Sequence, residues 1–234
     1  MTTSTTRTLL PAWALAATCL SWQLTACAAE APVSIPAPQV DAAPAGGGLQ
    51  TAVLSGGCFW GVQGVYEHVR GVQRVISGYS GGDRSTARYD SVSMGNTGHA
   101  ESVQITFDPA VVSYGELLHI FFSVVHDPTQ LNHQGNDIGP QYRSVIRYGD
   151  DEQKRIALAY IAQLNHSGAF RRPIVTSVDR LQGFYAAEAY HQDFLIHNPT
   201  NAYIAYNDLP KIDSLKRLFP DRYSDHPVMV ANAR

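Results

Sequence analysis

The stretch that organises this chain is Ala52-Val53-Leu54-Ser55-Gly56-Gly57-Cys58-Phe59-Trp60-Gly61. Its apolar start predicts a strand, its glycine pair a sharp turn, and residues 62–69 a helix. Cys58 then lies at a helix N-terminus, where unpaired N–H groups and the helix dipole favour a thiolate. Two interpretations follow: a nucleophilic thiol beside an aromatic wall, or a small buried core cysteine.

Composition limits the classes of function open to the chain. It has 234 residues, of which 44% are hydrophobic, enough for one domain of ordinary size with a substantial core. The formal net charge of −3 argues against nucleic acid as the main partner, since no basic excess is present to neutralise phosphates. The nine histidines are scattered without metal-ligand spacing, so we expect neither a metal site nor another cofactor.

The first 26 residues have the composition of a secretory signal peptide. Arg7 is their only positive charge, and the apolar stretch 9–24 is too short and too interrupted for a good membrane span. Its end, Leu24-Thr25-Ala26-Cys27, resembles the lipobox of bacterial lipoproteins, in which Cys27 would carry the lipid. Ordinary cleavage after Ala28 is the alternative. We expect a periplasmic protein of the bacterial cell envelope, held by a lipid anchor.

Residues 27–48 are rich in proline, alanine and glycine, which predicts a flexible tether. The folded domain is then expected over residues 49–234. Of the three cysteines, Cys19 leaves with the signal peptide and Cys27 is lipidated or lies near a cut end. The domain therefore keeps one thiol, Cys58, which cannot serve a disulfide framework.

Strands and helices mix along the domain without strict alternation, which indicates an α+β two-layer sandwich. Two long polar loops, 84–99 and 126–141, are expected to be functional. A Ser113–Glu116 capping box starts one helix. The predicted strands are 51–54, 72–79, 101–107, 142–148 and 174–178; the predicted helices are 59–69, 113–124 and 150–164; and the tail 184–234 is predicted as loop and short helix.

The strand at 101–107 alternates, with Val103, Ile105 and Phe107 on one face. Glu101 belongs to that apolar face. A carboxyl group pointing inward is desolvated, stays protonated near neutral pH and acts as a general acid. The alternative is a frayed strand end with Glu101 in water.

Three further side chains stand out by position. Tyr89 and Tyr142 lie in or beside the two long loops, although any one of twelve tyrosines is more often a packing residue. Asp137 follows Asn136 in a turn-forming run, where turn geometry alone accounts for the pair.

Taken in order, the motifs of the chain closely resemble those of the A-type peptide methionine sulfoxide reductases over roughly residues 51–206. Each motif alone is weak, and the ordered set is specific. The resemblance implies an α+β sandwich with a ferredoxin-like core. The motifs are Gly57-Cys58-Phe59-Trp60-Gly61, Tyr79-Ser80-Gly81-Gly82, Gly98-His99-Ala100-Glu101, Phe107-Asp108-Pro109, His126-Asp127-Pro128-Thr129, Gln134-Gly135-Asn136-Asp137, Gln141-Tyr142-Arg143-Ser144 and Ala187-Glu188-Ala189-Tyr190-His191-Gln192.

The resemblance implies roles for the two central residues. Cys58 would attack the sulfur of a methionine sulfoxide, and Glu101 would give a proton to its oxygen. Methionine would leave, and Cys58 would become a sulfenic acid. Methionine sulfoxide is a reversible oxidation product, with one enzyme type for each epimer.

The same resemblance assigns the substrate-binding residues. Tyr89 and Tyr142 would hydrogen-bond the sulfoxide oxygen, and Asp137 would order the site through water. Phe59 and Trp60 would hold the substrate methyl group, which selects the S epimer.

The chain departs from the family in its cysteines. Many members carry resolving cysteines in the C-terminal tail, and some carry one where this chain has Ser93; here none follows Cys58. The sulfenic acid is then expected to need an external reductant, either a thioredoxin-like protein or a small thiol.

The predicted function is repair of oxidised exported proteins.

Two other classes of function remain open from the sequence. A Cys–His hydrolase or acyl transferase would pair Cys58 with His99 or His126. A non-catalytic module would bind oxidised peptides without converting them.

Overall fold

The computed structural model describes residues 1–2, 32–43 and 47–230. Except for its first two residues, the predicted signal peptide lies outside this part, and so does the predicted lipidation site Cys27. Across the described residues, none of the helices has both the length and the apolar character needed to cross a membrane.

The folded part contains eight strands and six α-helices within the described ranges. In chain order they are β1 (Gln50–Ser55), α1 (Phe59–Glu67), β2 (Val72–Ser80), α2 (Tyr89–Val92), β3 (Ala100–Phe107), α3 (Tyr114–Ile120), β4 (His133–Gln134), β5 (Asp137–Ile138), β6 (Val145–Tyr148), α4 (Asp151–Ser167), β7 (Ser177–Arg180), β8 (Tyr185–Ala186), α5 (Phe194–His197) and α6 (Leu209–Leu218). Two π-helical turns, Phe121–Val125 and Ile204–Asp208, follow α3 and precede α6.

The main sheet has the strand order β7-β6-β1-β3-β2-β8. Its centre, β6-β1-β3-β2, is antiparallel, and β7 joins β6 in parallel at one edge. The connection β1-α1-β2-β3-α3-β6 gives the βαββαβ order of a ferredoxin-like core. The predicted α+β class is confirmed.

The pairing of β1 with β3 explains why distant residues meet at one end of the sheet. Their antiparallel register places Leu54 opposite Val103. The C-terminal end of β1, which leads into Cys58, therefore lies beside the N-terminal end of β3, where Glu101 stands. Between β1 and α1 the chain turns at Gly57, whose φ of +94° favours glycine.

Residues 32–43, which we call the strap, pack against the domain. Ile35 is buried in the main core, the Val33 N–H donates to the Ser123 carbonyl (2.9 Å), and the Tyr160 hydroxyl donates to the Pro36 carbonyl (2.8 Å). The predicted flexible tether over 27–48 is therefore wrong for the strap. Composition indicated a mobile chain, but one apolar side chain enters the core and backbone groups find partners on the π-helical turn 121–125 and on α4.

Other boundaries also differ from the sequence prediction. The strand expected at 142–148 starts at Val145, because Pro140 lacks an N–H and opens a 3₁₀ turn through Tyr142. The strand expected at 174–178 is β7, displaced toward the C-terminus. The first long loop contains α2 and the second contains the β4–β5 hairpin.

Candidate active site

A cavity of about 170 Å³ opens beside the start of α1. The seven site residues that the sequence predicted all line it, and an eighth residue, Tyr203, joins them. Six separate segments of the chain thus converge on one small pocket. Its lining residues are Cys58, Phe59, Trp60, Tyr89, Glu101, Asp137, Tyr142 and Tyr203.

Cys58 is the N-cap residue of α1, as the sequence predicted, and only 9% of it is exposed. Burial raises the pKa of its thiol well above the ordinary value, and the carboxyl groups of Glu101 and Asp208 raise it further. The Trp60 N–H at the helix start acts in the opposite direction but does not prevail. The predicted resting thiolate is therefore wrong: at neutral pH the resting group is a thiol.

Glu101 points inward at the start of β3 and is 4% exposed, so the frayed strand end is excluded. Its Oε2 accepts a hydrogen bond from the Phe59 N–H at 2.9 Å, which ties it to the residue after Cys58. Burial raises the pKa of Glu101 to about 8, against the lowering effect of that N–H. Near pH 7 the group is mainly a neutral carboxylic acid, able to donate a proton.

Two aromatic side chains form the apolar wall of the pocket. Trp60 stacks on Phe194 with ring centroids 3.9 Å apart, and its Nε1–H donates to His191 Nδ1 at 3.1 Å. Phe59 is buried, with its ring 5.0 Å from that of His191. The C-terminal segment therefore fixes the orientation of both rings.

The other lining residues form a polar wall. Asp137 accepts a hydrogen bond from the Tyr203 hydroxyl, with an Oδ2–oxygen distance of 2.5 Å. Burial raises the pKa of the Tyr89 and Tyr142 hydroxyls, so both keep their protons and are available as donors.

Sequence reasoning missed three residues that build the site from the tail: Tyr203, His191 and Glu188. The Glu188 carboxylate accepts from the Tyr79 hydroxyl (2.9 Å) and from the Tyr89 N–H (3.0 Å). The motif at 187–192 was a signal for two of them. Tyr203 had no local signal, because only long-range packing brings it to the pocket.

The geometry does not favour a Cys–His hydrolase. Both ring nitrogens of His126 are engaged, with Ser144 Oγ and the Phe121 carbonyl, and burial lowers its pKa to about 3. His99 is likewise held by the Gly82 N–H and the Asp83 carbonyl. In the described part of the chain, no group of three His, Cys, Asp or Glu side chains is arranged to hold a metal ion.

Comparison with known proteins agrees with the family resemblance that the sequence motifs indicated. Residues 50–223 match the family model described as peptide methionine sulfoxide reductase. Peptide methionine sulfoxide reductase MsrA 2 of Mesorhizobium japonicum is 56% identical over 186 residues, which cover 80% of this chain and 95% of the relative. A protein of the same name from Synechocystis is 54% identical over 194 residues, covering 82% and 89%.

Solved structures agree in fold. Reduced Mxr1 from Saccharomyces cerevisiae superposes with a TM-score of 0.60 at 30% identity, covering 74% of this chain and 98% of that chain. Methionine sulfoxide reductase A of Corynebacterium diphtheriae gives 0.57 at 31% identity, covering 75% and 88%.

Proposed function

Since the chain belongs to the peptide methionine sulfoxide reductase family and is a thiol-dependent methionine sulfoxide reductase, we propose that Cys58 is its nucleophile and Glu101 its proton donor. The observation that carries this assignment is the meeting of a buried thiol and a neutral, buried carboxylic acid in one small pocket. A sulfoxide oxygen leaves only when protonated, so an acid beside a sulfur nucleophile is the minimum requirement.

The proposed step conserves atoms and electrons. The Cys58 sulfur attacks the sulfoxide sulfur while Glu101 protonates the oxygen, and Glu101 recovers a proton from the thiol. The substrate sulfur–oxygen bond breaks, and the oxygen passes to Cys58 as a sulfenic acid. The sulfoxide is reduced by two electrons to methionine, and Cys58 is oxidised by two electrons.

Binding of the substrate is proposed to use both walls of the pocket. The sulfoxide oxygen accepts hydrogen bonds from the protonated Tyr89 and Tyr142 hydroxyls, while Phe59 and Trp60 contact the methyl group. The pocket offers hydroxyl donors for the oxygen and aromatic rings for the methyl group, so different side chains bind the two substituents of the sulfur. This supports selection of one sulfoxide epimer, which we assign as S. Asp137 orders the polar wall together with Tyr203.

Recycling is proposed to need an external thiol, since no cysteine follows Cys58 in the sequence. The external thiol attacks the sulfenic sulfur, water leaves, and a mixed disulfide forms. A second thiol then releases Cys58 and departs as the disulfide. We propose a thioredoxin-like protein or a small thiol in this role.

The cellular setting is proposed from the N-terminal sequence alone. A signal peptide over residues 1–26 and a lipid on Cys27 would place the enzyme in the periplasm, attached to a membrane. Its substrates there would be oxidised exported proteins.

The deciding experiment supplies each enantiomer of methyl p-tolyl sulfoxide separately, with a dithiol reductant. We expect one enantiomer to be reduced and the other to persist, and we expect Cys58→Ser to reduce neither. Equal reduction of both enantiomers would overturn the epimer assignment. Turnover by Cys58→Ser, or binding of an oxidised peptide without any conversion, would overturn the mechanism.

A further inference from the structure

A buried ion pair lies behind the active site. Asp208 ends the π-helical turn before α6 and is completely buried. Its Oδ1 lies 3.2 Å from Lys211 Nζ, and the Lys211 side chain is 11% exposed. The other carboxylate oxygen of Asp208 is buried without a hydrogen-bond partner among the described residues. Burying a charge in this way is costly, so the pair needs an explanation beyond surface charge balance.

The pair is seated on the first turn of α1. A Cβ placed on Gly61 would lie 2.1 Å from Asp208 Oδ1 and 3.0 Å from Lys211 Nζ. Only glycine admits this close approach. This accounts for the glycine at position 61. The Asp208 carboxylate therefore lies against a residue that is only three positions after Cys58.

The charged side chains that raise the pKa of the Cys58 thiol are all carboxyl groups. The carboxyl groups of Glu101, Asp208 and Asp137 all disfavour the thiolate. Burial raises the pKa of Asp208 and of Asp137, and the positive charge of Lys211 acts in the opposite direction on both. As a cation 3.2 Å from Asp208 Oδ1, Lys211 also offsets the negative charge that this carboxylate places beside Gly61. Titratable groups from several elements surround this region: Tyr89, Glu101, His126, Asp137, Tyr142, His191, Tyr203, Asp208 and Lys211.

We propose that Asp208 and Lys211 are positioning residues that seat the first turn of α1 and set the charge next to the Cys58 sulfur. The proposal rests on Cys58 being the nucleophile of the proposed function. The two members act with opposite sign: the carboxylate opposes formation of the thiolate, and the ammonium group offsets the carboxylate. Together they keep the charge behind α1 close to neutral.

The test measures alkylation of Cys58 by iodoacetamide between pH 8 and 10.5, with the Cys58 peptide followed by mass spectrometry in the full chain. The alkylation rate tracks the thiolate fraction. Asp208→Asn should raise the rate at a fixed pH by about threefold to tenfold, and Lys211→Met should lower it by a similar factor. Lys211→Arg, which keeps the charge, and the double variant Asp208→Asn/Lys211→Met should stay near wild type.

Opposite shifts in folded variants support the proposal, because loss of packing alone does not change sign with the charge removed. Shifts of the same sign, or no shift in either variant, would overturn it. If Lys211→Met does not fold, a raised rate in Asp208→Asn together with an unchanged rate in Lys211→Arg supports the proposal, and an unchanged rate in Asp208→Asn overturns it. The assay involves no sulfoxide, so its outcome is distinguishable from a failure of the proposed function.

Discussion

At the residue scale, the position and the protonation state of Cys58 have different origins. The turn at Gly57 places the thiol at the start of α1, where the helix dipole favours a negative charge. Desolvation and nearby carboxyl groups act more strongly and keep the proton on sulfur. The resting group is therefore the thiol, and a buried thiol is less susceptible to oxidation than an exposed thiolate.

Cys58 in the unmodified chain should react slowly with iodoacetamide at pH 7. Because its pKa is raised, the rate should keep increasing past pH 9, and each unit of elevation lowers the thiolate fraction about tenfold. Rates measured against free cysteine from pH 6 to 10.5 check this. A plateau below pH 8 would mean that the helix dipole prevails.

Glu101→Gln should leave the fold intact and slow methionine formation in a single turnover. The amide keeps the shape of the side chain but donates no proton, and losses of a general acid are about 10²–10⁴-fold. Glu152→Gln is the matched control, since Glu152 is exposed on α4 and forms an ion pair with Arg155 on the surface. An unchanged rate in Glu101→Gln would remove Glu101 from the role of acid.

At the element scale, a buried carboxyl group lies at each end of α1: Glu101 of β3 at its start, and Glu67 at its own last residue. Glu101 meets its first turn, and Glu67 ends it while only 1% exposed. Burial raises the pKa of Glu67 to about 9, and the carboxyl group of Asp193 adds to this. The helix thus closes on a protonated acid in the interior.

Glu67→Gln should change how stability depends on pH. Between the ordinary value of 4.5 and about 9, the native state keeps a proton that the unfolded state has released. The free energy of unfolding therefore falls as pH rises, by up to about 1.4 kcal/mol per pH unit from this one group. The variant should lose that slope, which urea unfolding at pH 6 and pH 8 would detect.

The control for this experiment is again Glu152→Gln, which should keep the wild-type slope. If Glu67→Gln and wild type lose stability equally between pH 6 and pH 8, Glu67 is ionised in the native state.

At the scale of the whole molecule, the strap lies outside residues 50–223, which the family model matches. Asp41 links it to the start of α3, where it accepts from the Ser113 hydroxyl at 2.5 Å and the Gly115 N–H at 2.8 Å. This adds to the predicted Ser113–Glu116 capping box, which is confirmed. The strap therefore packs against α3 and α4, outside the part of the chain that the family model covers.

Asp41→Ala should destabilise the full chain by about 1–2 kcal/mol, because it removes the acceptor for two helix-start donors. Chemical denaturation measures the loss. Gln39→Ala is the matched control, since the contribution of Gln39 is its backbone N–H to Gln163 Oε1, which the substitution keeps. Equal stability of the two variants would mean that the strap is not held through Asp41.

Recycling is also a property of the whole chain. One equivalent of substrate without reductant should yield one methionine and a sulfenic acid on Cys58 that dimedone traps, with no internal disulfide. An added dithiol should restore turnover. Mass spectrometry after one turnover decides the matter: a species lighter by two hydrogens, with Cys58 joined to Cys27, would contradict both the predicted lipidation and the need for an external thiol.

The sequence by itself predicted the α+β class, and period-two alternation placed Glu101 on an apolar face while leaving a frayed strand end as the alternative. The roles of the seven residues that line the pocket came from the resemblance of the ordered motifs to the reductase family. The lipidation of Cys27 remains a prediction, because it lies outside the described residues.

Only the tertiary structure decided the protonation of Cys58, the contribution of Tyr203 and the docking of the strap. Each depends on groups far apart in the chain: Asp208 approaches Gly61, Tyr203 reaches Asp137, and Ile35 enters the core. Desolvation and Coulomb interactions depend on neighbours in space, and local sequence patterns do not contain those neighbours.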